Sequence, residues 1–447
     1  MGMLRYLRLA GFPVSLGLTS ALVGGTLNRV MIVETGLPAS FVGMLFAIPL
    51  LMSPLRVWLG YMSDAHPLRG LRREPYIVLG AALIAGAVSA TTLALFHLPP
   101  LSLPMVALTV LLFAAYGLGK NLASNTFEAL LADKFKGDQR PRAVTLSKIA
   151  MFGGIIGGSL LLGRLLDPFS PERMTLIVLT AMAIVFLAST FGSLRQEPRE
   201  AALREASEKA RSLSFADAIQ TLILPDPQVR RFFTVVMLVV IGTLTQDVLL
   251  EPYGALALGM SVGQTARLIA FWGSGAVLAM MLAGMVLIRR LGYHRVLRIG
   301  VLTGAAVFFG LILAGLLKSP ILFVILVFAL GVSTGLSAAS MLTAAIEFTT
   351  PARAGLLLGL WGLAHELGQA IGSLMGGAVV DLMRALTGGD ILASYGIVFA
   401  AEAMLLLLAV RLARGLNLRE SAIFRAEAHG LSLQPASATS DSLAPLA

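Results

Sequence analysis

The sequence predicts an all-α integral membrane protein in which twelve transmembrane helices form two six-helix halves related by pseudo-two-fold symmetry. Hydrophobic residues make up 57% of the 447 residues and charged residues only 13%, whereas soluble domains carry about a quarter charged residues. The chain also repeats itself: residues 25–34 (GTLNRVMIVE) return as 242–251 (GTLTQDVLLE), and Asp167 returns as Asp381. A constant offset of about half the chain is typical of a duplicated membrane bundle.

Apolar runs bounded by glycine, proline and charged residues define twelve candidate spans of about 20 residues each. The first six fall at about 12–33, 39–61, 75–97, 103–131, 143–166 and 172–193. The second six fall at about 231–252, 264–288, 297–317, 320–347, 355–381 and 391–411.

These spans divide the chain into an N-terminal half (1–193) and a C-terminal half (230–413). The charged segment between them, 194–229, is predicted to be a cytoplasmic linker, and residues 197–211 within it are typical of a surface helix. The Ser-, Ala- and Pro-rich tail, 414–447, is predicted to be cytoplasmic and disordered.

The formal net charge of +10 arises mainly from Lys and Arg in loops that are cytoplasmic if both termini are cytoplasmic. This bias predicts that orientation and assigns the basic charge to membrane topology rather than to nucleic-acid binding. The absence of cysteine excludes disulfides and thiolate metal sites. No phosphate-binding loop or nucleophile elbow occurs in the sequence, so we expect a protein that is not an enzyme.

The loop after the second span carries a motif that resembles the signature loop of the major facilitator superfamily. Its residues are Gly60, Asp64, Arg69, Arg72 and Arg73. The resemblance implies a cytoplasmic charge clasp, which is paired in one conformation and released in another. A role in topology alone is the competing interpretation. Together with the duplication and the long linker, the motif predicts the major facilitator fold.

Residues 27–34 (LNRVMIVE), 246–254 (QDVLLEPYG) and 258–263 (LGMSVG) resemble the PucC/LhaA family, the bacteriochlorophyll delivery branch of that superfamily. This resemblance extends over most of the membrane region. It implies an assembly factor of light-harvesting complexes in the inner photosynthetic membrane. Such a protein binds (bacterio)chlorophyll, or a late precursor, and delivers it to nascent antenna or reaction-centre polypeptides.

The resemblance implies that the pigment is cargo and that the protein has no intrinsic cofactor. The expected partners are the pigment, these polypeptides and the lipid bilayer. One departure leaves the pigment type open. Asn121 and Ser124 stand where purple-bacterial members are expected to carry histidine and glutamine.

Charged groups inside a bilayer cost about 2.5 to 3.5 kcal/mol when unpaired, so they mark candidate functional sites. Arg29 and Asp247 lie on the equivalent spans one and seven, and we expect an ion pair between them across the two halves. A hydrogen bond from Gln246 is the alternative to this ion pair. A role of Arg29 and Asp247 in helix packing alone is an equally open interpretation. Glu34 and Glu251, at the span ends, are expected to be solvated caps. The residues of this gating or inter-half polar network are Asn28, Arg29, Gln246, Asp247, Glu251 and Tyr253.

A second candidate site, for pigment or substrate, lies on spans four and eleven. Its residues are Lys120, Asn121, Asn125, Trp361, His365, Glu366 and Gln369. Lys120 is expected to meet an acid or an anionic group of the cargo. His365 is the histidine predicted deep in a span, and a neutral imidazole can serve as axial ligand to the magnesium of a chlorophyll. A polar contact of His365 with Glu366 or with a neighbouring helix is the alternative.

Two other functions fit the same sequence. A proton-coupled transporter of a small solute would use Asp247, Glu366 or Glu128 as titrating groups, with Arg29 or Lys120 binding an anion. A scaffold would retain the fold only as a surface for partner helices.

Overall fold

The computed structural model describes residues 8–68, 70–135, 139–197, 227–347 and 354–415. Fourteen helical elements follow one another along this part of the chain. They are α1 (Gly11–Glu34), α2 (Ala39–Leu51), α3 (Leu55–Ala65), α4 (Glu74–His97), α5 (Leu103–Lys134), α6 (Gln139–Leu165), α7 (Pro171–Ser193), α8 (Pro227–Leu244), α9 (Leu250–Leu258), α10 (Val262–Leu291), α11 (Tyr293–Leu316), α12 (Pro320–Glu347), α13 (Ala354–Leu386) and α14 (Ile391–Ala413). The predicted linker helix at 197–211 and the predicted tail lie outside the described residues, apart from Glu197 and the tail's first two residues.

Within these ranges nine helices are long and apolar enough to cross a membrane, and the pair α8 and α9, bent by 46°, makes a tenth. The predicted second span is divided into α2 and α3, because Pro49 and Pro54 interrupt the helical hydrogen bonds. The predicted eleventh span, in α13, carries His365, Glu366 and Asp381 and is not among the ten. The chain is a multi-pass membrane protein, and the count of twelve crossings stays a prediction.

The helix contacts confirm the two halves and their pseudo-two-fold relation. In the N-terminal half α1 packs on α6 and α7, α4 packs on α5 and α7, and α2 packs on α5. In the C-terminal half α8 packs on α13 and α14, α11 packs on α12 and α14, and α10 packs on α12. Each of these contacts in one half therefore has its counterpart in the other. The halves meet where α2 packs on α13 and α6 packs on α10, two interfaces that the same symmetry exchanges.

Each half begins and ends on the same side of the bundle. Arg8, before α1, donates hydrogen bonds to the carbonyls of Phe191 (3.2 Å) and Leu194 (3.0 Å) at the end of α7. Arg231, in α8, donates to the carbonyl of Gly415 (2.8 Å) after α14. We call this side the terminal end. The opposite side, where α2 and α10 begin, is called the closed end.

Two carboxylates clamp the halves together at the closed end. Asp381 of α13 accepts hydrogen bonds from the backbone N–H groups of Ala39 (3.1 Å) and Ser40 (2.7 Å), the first residues of α2. Asp167, its counterpart in the repeat, accepts from the hydroxyl of Ser261 (3.2 Å), the residue that caps α10. A carboxylate at a helix N-terminus satisfies unpaired amides and complements the helix dipole. Each half thus stabilises a helix start of the other.

Glycines allow this close approach. A Cβ atom added to Gly43 would lie 2.2 Å from the carbonyl oxygen of Ser373, and one added to Gly263 would lie 2.4 Å from that of Gly163. Backbone cannot yield to contacts this short, so both inter-half interfaces require glycine at these positions.

We expect Asp381→Ala to loosen the closed end, because it removes both acceptors of the α2 N-terminus. The chain has no cysteine, so Ala39→Cys provides a single reporter, buried at this interface. Labelling of that cysteine by a water-soluble maleimide should accelerate about tenfold, corresponding to about 1.4 kcal/mol.

The matched control is Asp390→Ala, which removes the cap of α14 (Ala393 N–H to Asp390, 3.1 Å) within one half. It should lower thermal stability to a similar extent without accelerating the labelling. Equal labelling rates in the two variants would contradict the clamp.

Candidate functional site

A cavity of about 240 Å³ lies between the two halves. Its walls come from α1, α2, α5 and α6 on one side and from the turn between α8 and α9, α9 itself, α10 and α13 on the other. Five of the residues selected from the sequence line it: Lys120, Gln246, Asp247, Glu251 and Gln369. We call this space the central cavity.

Irregular segments of backbone determine where the polar groups of the central cavity lie. Helix α1 contains two π-helical segments, Ala21–Leu27 and Val30–Glu34, on either side of Asn28 and Arg29. The equivalent stretch of the second half breaks into a 3-10 turn, Thr245–Asp247, before α9. The Asn28 amide donates to the carbonyls of Asp247 and Val248, both at 3.1 Å. Asn28 therefore joins the halves by binding carbonyls next to this break.

The expected ion pair between Arg29 and Asp247 is wrong. Arg29 instead pairs with Glu34 and donates to the carbonyl of Met260 at 3.4 Å. Because Val30–Glu34 is π-helical, residues five apart lie on one face, and Glu34 therefore comes beside Arg29. Glu34 is therefore an ion-pair partner of Arg29 as well as an exposed residue at the end of α1.

Asp247 is held by amide side chains. It accepts hydrogen bonds from Gln246 (3.1 Å) and from Gln369 of α13 (3.0 Å). The sequence analysis predicted a hydrogen bond from Gln246 as the alternative to the ion pair, and it placed Gln369 in the candidate site for pigment or substrate. The structure brings all three residues to one wall of the central cavity.

Glu251 and Tyr253 differ from their expected roles. Glu251 is 3% exposed, so it is not a solvated cap, and its Oε2 atom has no hydrogen-bond partner. Tyr253 is buried in the core of the C-terminal half, where its hydroxyl donates to the carbonyl of Leu311 (3.2 Å) and its ring packs against Phe399 at 5.0 Å. Tyr253 anchors α9, whereas Glu251 faces the cavity.

Lys120 lies on the opposite wall from these acids. Its side chain is half-buried, and it forms no ion pair or hydrogen bond among the residues that the structure describes. The acidic partner expected for Lys120 is therefore not found. The central cavity instead has an unpaired cation on its N-terminal wall and two acids, Asp247 and Glu251, on its C-terminal wall.

Asn121 and Asn125 stabilise the break between α2 and α3 and do not form part of the described cavity wall. The Asn121 amide donates to the carbonyls of Pro49 (3.1 Å) and Gly117 (2.9 Å), and Asn125 donates to the carbonyl of Arg56 (3.0 Å). These contacts give both residues a structural role, and their assignment to pigment or substrate binding stays a prediction. The carbonyl of Pro49 lies in the last turn of α2, where the end of a helix leaves carbonyls without helical donors.

An ion pair between the halves is made by a residue that the sequence analysis did not select. Arg56 of α3 donates to Glu366 of α13 at 3.3 Å and to the Oδ1 atom of Asn121 at 2.7 Å. Glu366 lies one turn from Gln369, on the side of the central cavity toward the terminal end. The partner of Glu366 is thus Arg56. Among the described contacts, Glu366 makes no hydrogen bond with His365.

His365 and Trp361 form a separate pair on α13. Their ring centroids are 5.9 Å apart with an interplanar angle of 33°. The Nδ1 atom of His365 and the indole Nε1 atom of Trp361 are both buried without a hydrogen-bond partner. Neither side chain belongs to the described wall of the central cavity. Among the described residues no group of three or more His, Asp or Glu side chains could hold a metal ion.

Glu402 is a further buried acid that the sequence analysis missed. It lies on α14, is 2% exposed, and neither of its carboxyl oxygens has a hydrogen-bond partner. Asp247 is within electrostatic range of both Glu402 and Glu251. The signal was a single acid in the otherwise apolar run 391–411.

The loop motif is described only in part. The side chains of Gly60, Asp64 and Arg69 lie outside the described residues, so the clasp at Asp64 stays a prediction. The N–H groups of Arg72 and Arg73 donate to the Glu197 carboxylate (2.8 and 2.9 Å).

The Arg73 guanidinium also reaches beyond the loop. It pairs with Asp133 (3.1 Å) at the end of α5 and donates to Ser63 (2.9 Å) of α3. The loop therefore ties α3 and α5 to the chain that follows α7 at the terminal end.

Comparison with solved structures confirms the major facilitator fold. The nucleoside transporter NupG superposes with a TM-score of 0.70 at 13% identity, over 93% of this chain and 99% of that one. The xylose transporter XylE from E. coli gives a TM-score of 0.65 at 17% identity, over 94% and 98%. At these identities the likeness concerns the fold alone.

Relatives at higher identity are similar over nearly the whole chain. Protein PucC of Rhodobacter capsulatus is 32% identical over 92% of this chain and 91% of its own length. Protein PucC of Cereibacter sphaeroides is 31% identical over 90% of each. The bacteriochlorophyll synthase 44.5 kDa chain of Rhodobacter capsulatus is 28% identical over 93% and 96%. The model of the family described as PUCC protein matches residues 26–421, and the chain therefore belongs to the PUCC protein family.

Proposed function

We propose that this protein is an assembly factor of photosynthetic light-harvesting complexes that binds (bacterio)chlorophyll and delivers it to nascent antenna or reaction-centre polypeptides. Family membership supports a role connected with photosynthesis, and one relative is named for bacteriochlorophyll synthesis. The proposal includes a location in the inner photosynthetic membrane, both termini cytoplasmic, and no catalytic activity. The pigment is cargo rather than a resident cofactor.

The observation that carries the proposal is the imidazole of His365 beside Trp361, because its buried Nδ1 atom has no hydrogen-bond partner. Burial of a polar nitrogen without a hydrogen-bond partner is energetically unfavourable, and a bound ligand would supply the missing interaction. A neutral imidazole nitrogen is a suitable ligand for the magnesium of a chlorophyll. An aromatic ring one turn away can pack on a flat macrocycle, and its unpaired indole N–H can donate to a peripheral carbonyl.

The size of the central cavity favours a lateral route for the pigment. Its volume of about 240 Å³ is below the roughly 300 to 1,000 Å³ typical of sites for drug-sized ligands. A tetrapyrrole with its hydrocarbon tail is larger than such ligands and already dissolves in the bilayer. Binding at α13, outside the central cavity, allows delivery without an aqueous path through the bundle.

The second candidate function is proton-coupled transport of a small solute. The observation in its favour is the central cavity itself, in which unpaired Lys120 faces Asp247 and Glu251. Such walls suit a small molecule with both a cationic and an anionic group. Buried acids within membrane bundles also occur in proton relays, and Glu402 adds one near Asp247.

We expect His365→Ala to reduce the pigment retained per protein at least fivefold, because the axial nitrogen is lost. The measurement is the ratio of red-region absorption to protein after purification from a pigment-making host. His97→Ala is the matched control, since His97 is exposed at the end of α4. Unchanged pigment content in the His365 variant would refute the ligand assignment, and a colourless native protein from such cells would refute pigment binding altogether.

Proteoliposomes distinguish the two candidate functions. Under the leading proposal a pH gradient drives no solute uptake, and Asp247→Asn leaves the pigment content unchanged. Gradient-driven uptake that is lost in Asp247→Asn and Glu402→Gln, but kept in the exposed control Glu172→Gln, would replace the leading proposal by the transporter.

A further inference from the structure

A second cavity, of about 260 Å³, lies at the terminal end of the C-terminal half. It is enclosed by α8, α11 and α14, and it shares no lining residue with the central cavity. Its inner wall is aliphatic and consists of Val235, Val239, Leu297, Val301, Ala409, Val410 and Ala413. We call it the basal cavity.

The rim of the basal cavity is cationic. His294, Arg295 and Arg298 come from the first two turns of α11, and Arg414 comes from the residue after α14. The side chains of these three arginines are exposed and form no ion pair or hydrogen bond within the described residues. No acid is among the residues that line the cavity.

Within the part of the chain that the structure describes, this group of cations has no counter-charge. Several guanidinium groups around one cavity repel each other, and the N-terminus of α11 adds its own partial positive charge. Arg414 also complements the C-terminal end of α14, which accounts for one of the cations but not for the others. Arg231, nearby, already donates to the carbonyl of Gly415. An anion is the missing partner of the rim.

We propose that the basal cavity binds the phosphate group of an anionic phospholipid, with the headgroup on Arg295, Arg298 and Arg414. Arginine forks match phosphate oxygens in geometry and charge. The aliphatic wall fits the beginning of an acyl chain, which a free phosphate does not possess. A basic pocket between helices at the end of a membrane bundle lies at the level of lipid headgroups. The proposal is independent of the pigment site on α13.

The test compares thermal unfolding of the full-length protein in neutral detergent with added phosphatidylglycerol, phosphatidylcholine or inorganic phosphate. The cavity variant is Arg298→Ala with Arg414→Ala. The matched control is Arg289→Ala with Arg290→Ala, which removes the same charge from exposed positions at the end of α10, outside the cavity.

We expect phosphatidylglycerol to raise the melting temperature of the native protein and of the control, with an apparent affinity about tenfold weaker in the cavity variant. Phosphatidylcholine should have little effect. Native mass spectrometry of the same samples should count fewer retained phospholipids in the cavity variant only. This second readout remains decisive if that variant is less stable by itself.

Other outcomes overturn the proposal. Equal stabilisation by inorganic phosphate would show that the ligand is a small phosphate and not a lipid. Equal losses in the cavity variant and the control would show a diffuse attraction to negative surfaces. Absence of any effect of phosphatidylglycerol on the native protein would assign the arginines to membrane topology alone.

Discussion

The central cavity depends on one constraint, which is that a bilayer offers no water to satisfy backbone groups freed by a broken helix. Among the described residues, irregular helical stretches contribute to the wall of the central cavity in α1, the α2–α3 pair and the α8–α9 pair. Asparagine side chains satisfy carbonyls at two of the breaks, Asn28 next to α9 and Asn121 next to α3. The polar residues around the cavity are therefore first of all structural, and they fix where Asp247 and Arg56 can lie.

Symmetry separates architecture from function in this bundle. Asp167 and Asp381 match in the repeat and have matching roles, since each binds the start of a helix in the opposite half. Three of the groups with unsatisfied chemistry have no such counterpart: Lys120, His365 and Glu402 each occur in one half only. A duplicated fold that keeps its shared residues for assembly can vary the others for a new ligand, so the asymmetric residues are where a delivery function would reside.

The two cavities and the pair on α13 divide the molecule into regions of different chemistry. The central cavity is small and carries opposite charges on its two walls. The His365 and Trp361 pair offers unpaired nitrogens outside that cavity. The basal cavity combines an aliphatic wall with a cationic rim. Two of these three regions therefore offer ligand-binding chemistry outside the central path through the bundle.

The sequence by itself determined the helical membrane class, the duplication and five polar residues of the central cavity wall, because hydropathy, repeat spacing and charges within apolar runs can be read directly along the chain. The sequence could not determine which side chains pair with one another. Arg29 pairs with Glu34 because a π-helical segment changes the angular spacing of α1, and Glu366 pairs with Arg56 across the interface where α2 packs on α13. The basal cavity likewise joins residues from three helices that lie far apart along the chain. Only the tertiary structure decides such pairings, since they depend on backbone irregularities and helix crossings that no periodic pattern encodes.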